Sequence, residues 1–138
     1  MIRTQKILVQ TKGENDIVNV TDIVRDKLAK SKARDGFMIL FLQSTTSALT
    51  IMEFEDGIRI DIPRAMSRIV PKSIEYEHER AYHDGNGHSH VKSSMIGADL
   101  VLPFKDGELL LGTWQQIAVL EFDVRPRERS LIVQIITE

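Results

Sequence analysis

The chain has 138 residues, a net charge of -2 and no cysteine, which excludes disulfides, cysteine-ligated clusters and cysteine nucleophiles. With 42% hydrophobic and 28% charged residues it can build one core, and its charge balance gives no reason to expect nucleic-acid or anionic-membrane binding. The apolar run Ile7-Leu8-Val9 is far too short for a signal-peptide core or a membrane span, so a cytoplasmic location is expected.

The β-branched stretch 2–10 predicts a first strand. Over 19–31, Val20, Ile23, Val24 and Leu28 recur at helical spacing, with Asn19 as N-cap and Asp22 in the first turn. The continuous apolar run Phe37–Leu42 after Gly36 reads as a buried strand. It empties into the polar cluster 43–47, and Ala48–Phe54 resumes a strand. A second helix is predicted over Pro63–Val70, with Pro63 in its first turn and Ile62, Ala65, Met66 and Ile69 buried. Residues 72–90, rich in Glu, His, Asp and Gly, read as a long functional loop feeding a strand. Strands at 98–102, 108–111, 117–122 and 131–136 complete the chain. About two helices and about seven strands, the later ones in hairpins, predict a single α+β domain, 1–138, with mainly antiparallel strands. Apolar residues on several strand faces leave room for a closed homo-oligomer.

All four histidines, His78, His83, His88 and His90, lie within 13 residues. On an extended strand His88 and His90 would project from one face. With His78 returning from the loop they would offer three imidazoles to one divalent ion, zinc being favoured. Asp84 or Glu121 would add an oxygen or orient a ring. The opposing reading is a solvated histidine loop, and His83 fits that description. His78 or His90 can instead serve as a general acid or base, since imidazole titrates near neutrality. Asn86, between Gly85 and Gly87, sits in a loop suited to anion contact and Lys92 can reach a phosphate; the plainer reading is a tight turn followed by a surface or structural lysine.

Other polar candidates are Ser44 and Thr45, which can hold an anion or cap a turn. Glu53, inside an apparent apolar run, is a candidate base or a partner of Arg64. Thr113 and Trp114 can wall a pocket, although a core tryptophan is the plainer reading. Dinucleotide, Walker, nucleophile-elbow and His-Glu-x-x-His signatures are all missing.

The stretches 44–51, Tyr76-Glu77-His78, Asp84-Gly85-Asn86-Gly87-His88-Ser89-His90-Val91-Lys92, 107–117 with its Gly112-Thr113-Trp114-Gln115 core, and Glu121-Phe122-Asp123 together resemble the YjbQ family, UPF0047. The resemblance spans nearly the whole chain in order. It implies a compact α+β fold, a homotrimer and a polar pocket near the histidines at a subunit boundary. Within it His78 and His90 are the most consistent histidines, His88 belongs to the Asn-Gly-His-Ser-His form, and Glu53 falls at an acidic position. Ser44 stands where many bacterial members have histidine. The resemblance also implies a secondary thiamine-phosphate synthase activity, which joins a pyrimidine pyrophosphate to a thiazole phosphate.

The leading expectation is a metal-dependent enzyme acting on a small phosphorylated metabolite. Catalytic roles fall to Glu53 and His78, substrate contacts to Ser44, Thr45, Asn86, Lys92, Thr113 and Trp114, and metal ligation to His78, His88 and His90. The alternative is a non-catalytic trimer that binds a small anion or is purely structural.

Overall fold

The last strand shows how the sheet acquires its two faces. Along Glu128–Thr137, Arg129, Leu131, Val133 and Ile135 are buried while the residues between them are only half-covered. A period of two places one set on the core. The computed structural model describes all residues, Met1–Glu138. Its elements are β1 (Ile2–Gln10), β2 (Ile17–Asn19), α1 (Thr21–Ser31), β3 (Gly36–Leu42), β4 (Ser47–Met52), α2 (Asp56–Ile69), α3 (Glu77–Tyr82), α4 (Gly87–Ile96), β5 (Asp99–Lys105), β6 (Glu108–Leu109), β7 (Gln116–Glu121) and β8 (Glu128–Thr137).

The strands form a five-stranded sheet in the order β1-β8-β3-β5-β6 and a three-stranded sheet in the order β2-β7-β4. Every ladder is antiparallel. The main core lies between the two sheets: Met38, Leu40, Leu131, Val133 and Leu102 face Leu49, Ile117 and Val119, with Val24 and Leu28 of α1. A smaller cluster, including Ala48, Ala118, Leu120 and Phe122, occupies the far side of the three-stranded sheet and packs against Phe54, Ile58 and Ile62. β7 is therefore covered on both faces and reads as an unbroken apolar run. The outer face of the large sheet is different. Phe37, Phe41, Val101, Ile2 and Leu8 all stand exposed there. No helix is long and apolar enough to cross a membrane.

The α+β class with antiparallel sheets stands, but the expectation of about two helices does not: there are four. The predicted loop over 72–90 contains α3 and the start of α4. The second helix starts earlier than predicted, at Asp56, and Pro63 lies inside it. Its start is fixed by Glu55, whose carboxylate accepts from the amides of Gly57 (2.8 Å) and Ile58 (2.5 Å). Of the predicted apolar face only Met66 is fully buried; Ala65 and Ile69 are exposed. β4 ends at Met52, so Glu53 lies beyond the strand and is exposed. β2 adds a short eighth strand.

Candidate metal centre

Helix α4 decides which histidines meet. It buries Gly87, His88, Ser89, Lys92 and Ser93 on one side, a face that is almost wholly polar. Hydrogen bonds satisfy most of that face. Ser89 Oγ donates to the Phe122 carbonyl (2.6 Å) and Ser93 Oγ to the Ser47 carbonyl (2.6 Å). Asn86, just before the helix, accepts on Oδ1 from Ser89 Oγ (2.9 Å) and the Val124 amide (3.1 Å). Asn86 is thus a buried brace between α4 and the segment just after β7. Gly87 is required by a close approach: a Cβ there would meet Cβ of Tyr76 at 2.6 Å.

Residues two apart on a helix point roughly 200° apart, so His88 and His90 diverge. This corrects the reading of 88–90 as a strand. His88 is buried, and its Nε2 lies 2.8 Å from Oε1 of Glu14. His90 turns the other way, its ring centroid 4.4 Å from that of His78. The expected set of three imidazoles is therefore not assembled. In its place, ligating atoms of His78, Asp84 and His90 all lie within 4.8 Å of one another.

The elements before α4 hold this trio. Tyr82 stacks on His78 with centroids 4.9 Å apart. His78 Nε2 is 3.1 and 3.2 Å from the two Asp84 oxygens. Glu79 ties down the connecting loop, accepting from the amides of Gly85 (2.9 Å) and Gly87 (2.7 Å). Partial burial pushes the Asp84 carboxyl up, but the Asn86 amide and the neighbouring His78 and His90 more than offset this and hold it below its ordinary value. A tetrahedral zinc centre with bonds of ~2.1 Å needs ligand atoms roughly 3.4 Å apart. Two nitrogens and a carboxylate suit such an ion, and ligating atoms within 4.8 Å of one another reach that spacing by small side-chain movements. Three protein ligands leave a coordination position for a substrate, as in catalytic sites.

The inner face of α4 carries a second polar group. Glu14 accepts from Lys72 (2.8 Å) as well as facing His88. Burial pushes Glu14 up, and these two partners bring it below its ordinary value. Lys92, one turn after His88, is 2% exposed, and its ammonium makes no hydrogen bond or ion pair. Its Nζ lies 5.7 Å from the centroid of the Phe122 ring. Burial lowers its pKa, with Glu14 opposing and Lys72 reinforcing the shift.

The remaining candidates stay apart from both groups. Ser44 Oγ accepts from the Thr46 amide (3.1 Å) and Ser47 Oγ (2.7 Å), capping its turn, and Thr45 is exposed. Glu53 makes no ion pair with Arg64. Thr113 is exposed and Trp114 is 72% exposed, so the core reading of that tryptophan fails for the single chain. Glu121 is buried against Arg129. His83 is exposed at the end of α3. An open cavity of about 860 Å³ lies by the chain termini and the end of α1 and is lined by no histidine. Sequence reasoning missed Glu14 and Glu79. Nothing in the sequence links Glu14 to a histidine 74 residues away, whereas Glu79 lies inside the histidine segment itself.

The fold and the cluster define an α+β domain bearing a surface group of two histidines and one carboxylate. The family model described as UPF0047 protein YjbQ-like matches residues 5–138. The chain is 37% identical over 129 residues to a UPF0047 protein of Archaeoglobus fulgidus, covering 94% of this chain and 98% of that one. It is 35% identical over 132 residues to UPF0047 protein MJ1081 of Methanocaldococcus jannaschii, covering 95% and 92%. A YbjQ-like protein of unknown function from Sulfolobus solfataricus P2 superimposes with a TM-score of 0.93 at 29% identity, over 100% of this chain and 99% of that one. The chain belongs to the YjbQ/UPF0047 family.

Proposed function

We propose that the protein is a metal-dependent enzyme acting on a small phosphorylated metabolite, and that it works as a homotrimer with its metal group at a subunit boundary. The observation that carries this reading is the convergence of His78, Asp84 and His90 within 4.8 Å on two short helices and their connecting loop. A divalent ion held there, zinc being favoured, would supply Lewis-acid chemistry. His78 and His90 bind through ring nitrogens, Asp84 contributes the oxygen, and Tyr82 and Glu79 keep the ligands oriented.

Lys92 supports the phosphate part of the reading. The Lys92 side chain is buried and only the charge of Glu14 opposes its desolvation, so an added anion would favour its charged form. His90 and Lys92 face opposite sides of α4, so the metal group and Lys92 lie on different faces of the helix. The apolar outer surface supports assembly. Val91 and Met95 are exposed on α4 beside His90, and Phe37, Phe41 and Val101 are exposed on the large sheet. Trp114 and Thr113 would gain contacts, including substrate contacts, only when another subunit covers them. A cytoplasmic site of action goes with this reading.

Turnover tests the proposal. Untagged protein loaded with zinc is assayed against phosphorylated metabolites, first the two thiamine-phosphate precursors as a secondary reaction. Turnover by the wild type, lost in His78→Ala/His90→Ala, is expected. Turnover unaffected in that variant would exclude the cluster as the catalytic centre. The buried Lys92 also favours a second reading, a non-catalytic trimer that binds a small anion; retained binding without turnover of any such metabolite selects it.

A further inference from the structure

Two guanidinium groups on α2 have no acidic partner. Arg64 and Arg68 stand one helical turn apart, both exposed, and neither forms an ion pair or hydrogen bond within the chain. Arg59 on the same helix differs, lying 3.8 Å from Asp56. With Ser67, Pro63 and Asn15 the two arginines line an open depression of about 310 Å³. Its lining is polar apart from the proline ring, which suits an oxyanion better than an apolar ligand.

The depression adjoins the inner group of α4. Asn15 follows Glu14, and Glu14 is the shared acceptor of Lys72 and His88. The charge of Glu14 also acts on Lys92. Glu14 pairs with Lys72 and its charge acts on Lys92, while Arg64 and Arg68 line the depression beside the adjacent Asn15, in a chain whose net charge is -2. Asp16 is engaged by the Lys12 amide at 2.8 Å, and Asp61, three residues before Arg64 on α2, forms no ion pair with it. Such a local excess of positive charge attracts anions, and arginines a turn apart can grip a tetrahedral oxyanion through several charge-assisted hydrogen bonds.

We infer that Arg64, Ser67 and Arg68, with Asn15, form an oxyanion subsite that takes a phosphate group. The identity of that group as part of the substrate rests on the function proposed above; the subsite itself does not. The test is a calorimetric titration of the full chain with inorganic phosphate, with EDTA present so that metal occupancy plays no part. Saturable binding is expected, weakened about tenfold or more in Arg64→Gln/Arg68→Gln, a change of ~1.4 kcal/mol. A charge-matched control, Lys6→Gln/Lys105→Gln, should stay close to the wild type. Absence of saturable binding, equal affinity in Arg64→Gln/Arg68→Gln, or an equal loss in the control would overturn the subsite. Glycerol phosphate serves as the second probe. Binding that is lost in the same variant assigns a phosphomonoester ligand, whereas binding of inorganic phosphate alone assigns free phosphate. If the metal reading fails, His78→Ala/His90→Ala still shows the same phosphate titration.

Discussion

Replacing Arg129 by methionine should be the most destabilising single change near the site. Its guanidinium donates to both Glu121 oxygens, at 2.8 and 2.5 Å, and to Thr46 Oγ1 at 2.7 Å, and lies 3.9 Å from Asp123. The Arg129 side chain is 10% exposed and that of Glu121 is fully buried. Methionine fills much of the volume but leaves Glu121 with only Thr11 Oγ1 (2.8 Å) and the Asp123 amide (3.0 Å) as donors. Breaking a buried pair in this way costs ~3–5 kcal/mol, a large part of the ~5–15 kcal/mol that holds a domain of this size. The double variant Arg129→Met/Glu121→Gln removes the stranded charge and should recover part of the loss. Urea unfolding monitored by circular dichroism reads both, with an unchanged m-value as the check that only stability moved. A loss below ~1 kcal/mol in Arg129→Met, the size of an exposed pair, would refute the view that this buried network ties the end of β7 to β8.

Three further outcomes follow from the same contacts. Gly87→Ala forces a Cβ into Tyr76 and should cost ~1–3 kcal/mol, as overpacking does, while shifting the first turn of α4; thermal melts and metal affinity should fall together. Burial raises the Asp123 carboxyl, but bonds from the Arg125 amide, Thr46 and Arg127 bring it below its ordinary value. Its stabilisation is therefore present above the unfolded carboxylate range and lost as pH falls through the depressed folded value. Wild type should consequently lose more stability than Asp123→Asn between pH 6 and pH 3 in urea titrations. Phe37→Glu/Phe41→Glu places charges on the exposed apolar face of the large sheet and should convert an oligomer to folded monomers in light-scattering chromatography; an unchanged oligomer would move the interface elsewhere.

The strands were legible because apolar patterning reports them directly. The runs at 2–10 and 37–42 match β1 and β3 within a residue, and α1 carries its apolar face openly in Val20, Val24 and Leu28. α4 was illegible for a physical reason. Its buried face is His88, Ser89, Lys92 and Ser93, held by hydrogen bonds to distant residues, so no apolar periodicity marks it. The signals available were the spacing of His88 to Lys92 and Ser89 to Ser93, four residues each, and Gly97 as a stop. Missing that helix misdirected the site: period two joined His88 to His90, whereas period 3.6 separates them. The start of α2 was overlooked because Pro63 invited an N-terminal reading, while the capping carboxylate, Glu55, lay eight residues earlier. His78 and His90 remained together under either reading, since α3 and its loop return the chain to the first turn of α4.

The most direct measurement is metal content per chain, by elemental analysis of untagged protein saturated with zinc and then desalted. About one ion per chain is predicted for the wild type and for His88→Gln, because three ligands suffice for an open site and His88 is not among them. His78→Ala and His90→Ala should each retain almost none. A wild type without metal, or an ion kept by His78→Ala and lost by His88→Gln, would contradict the assignment.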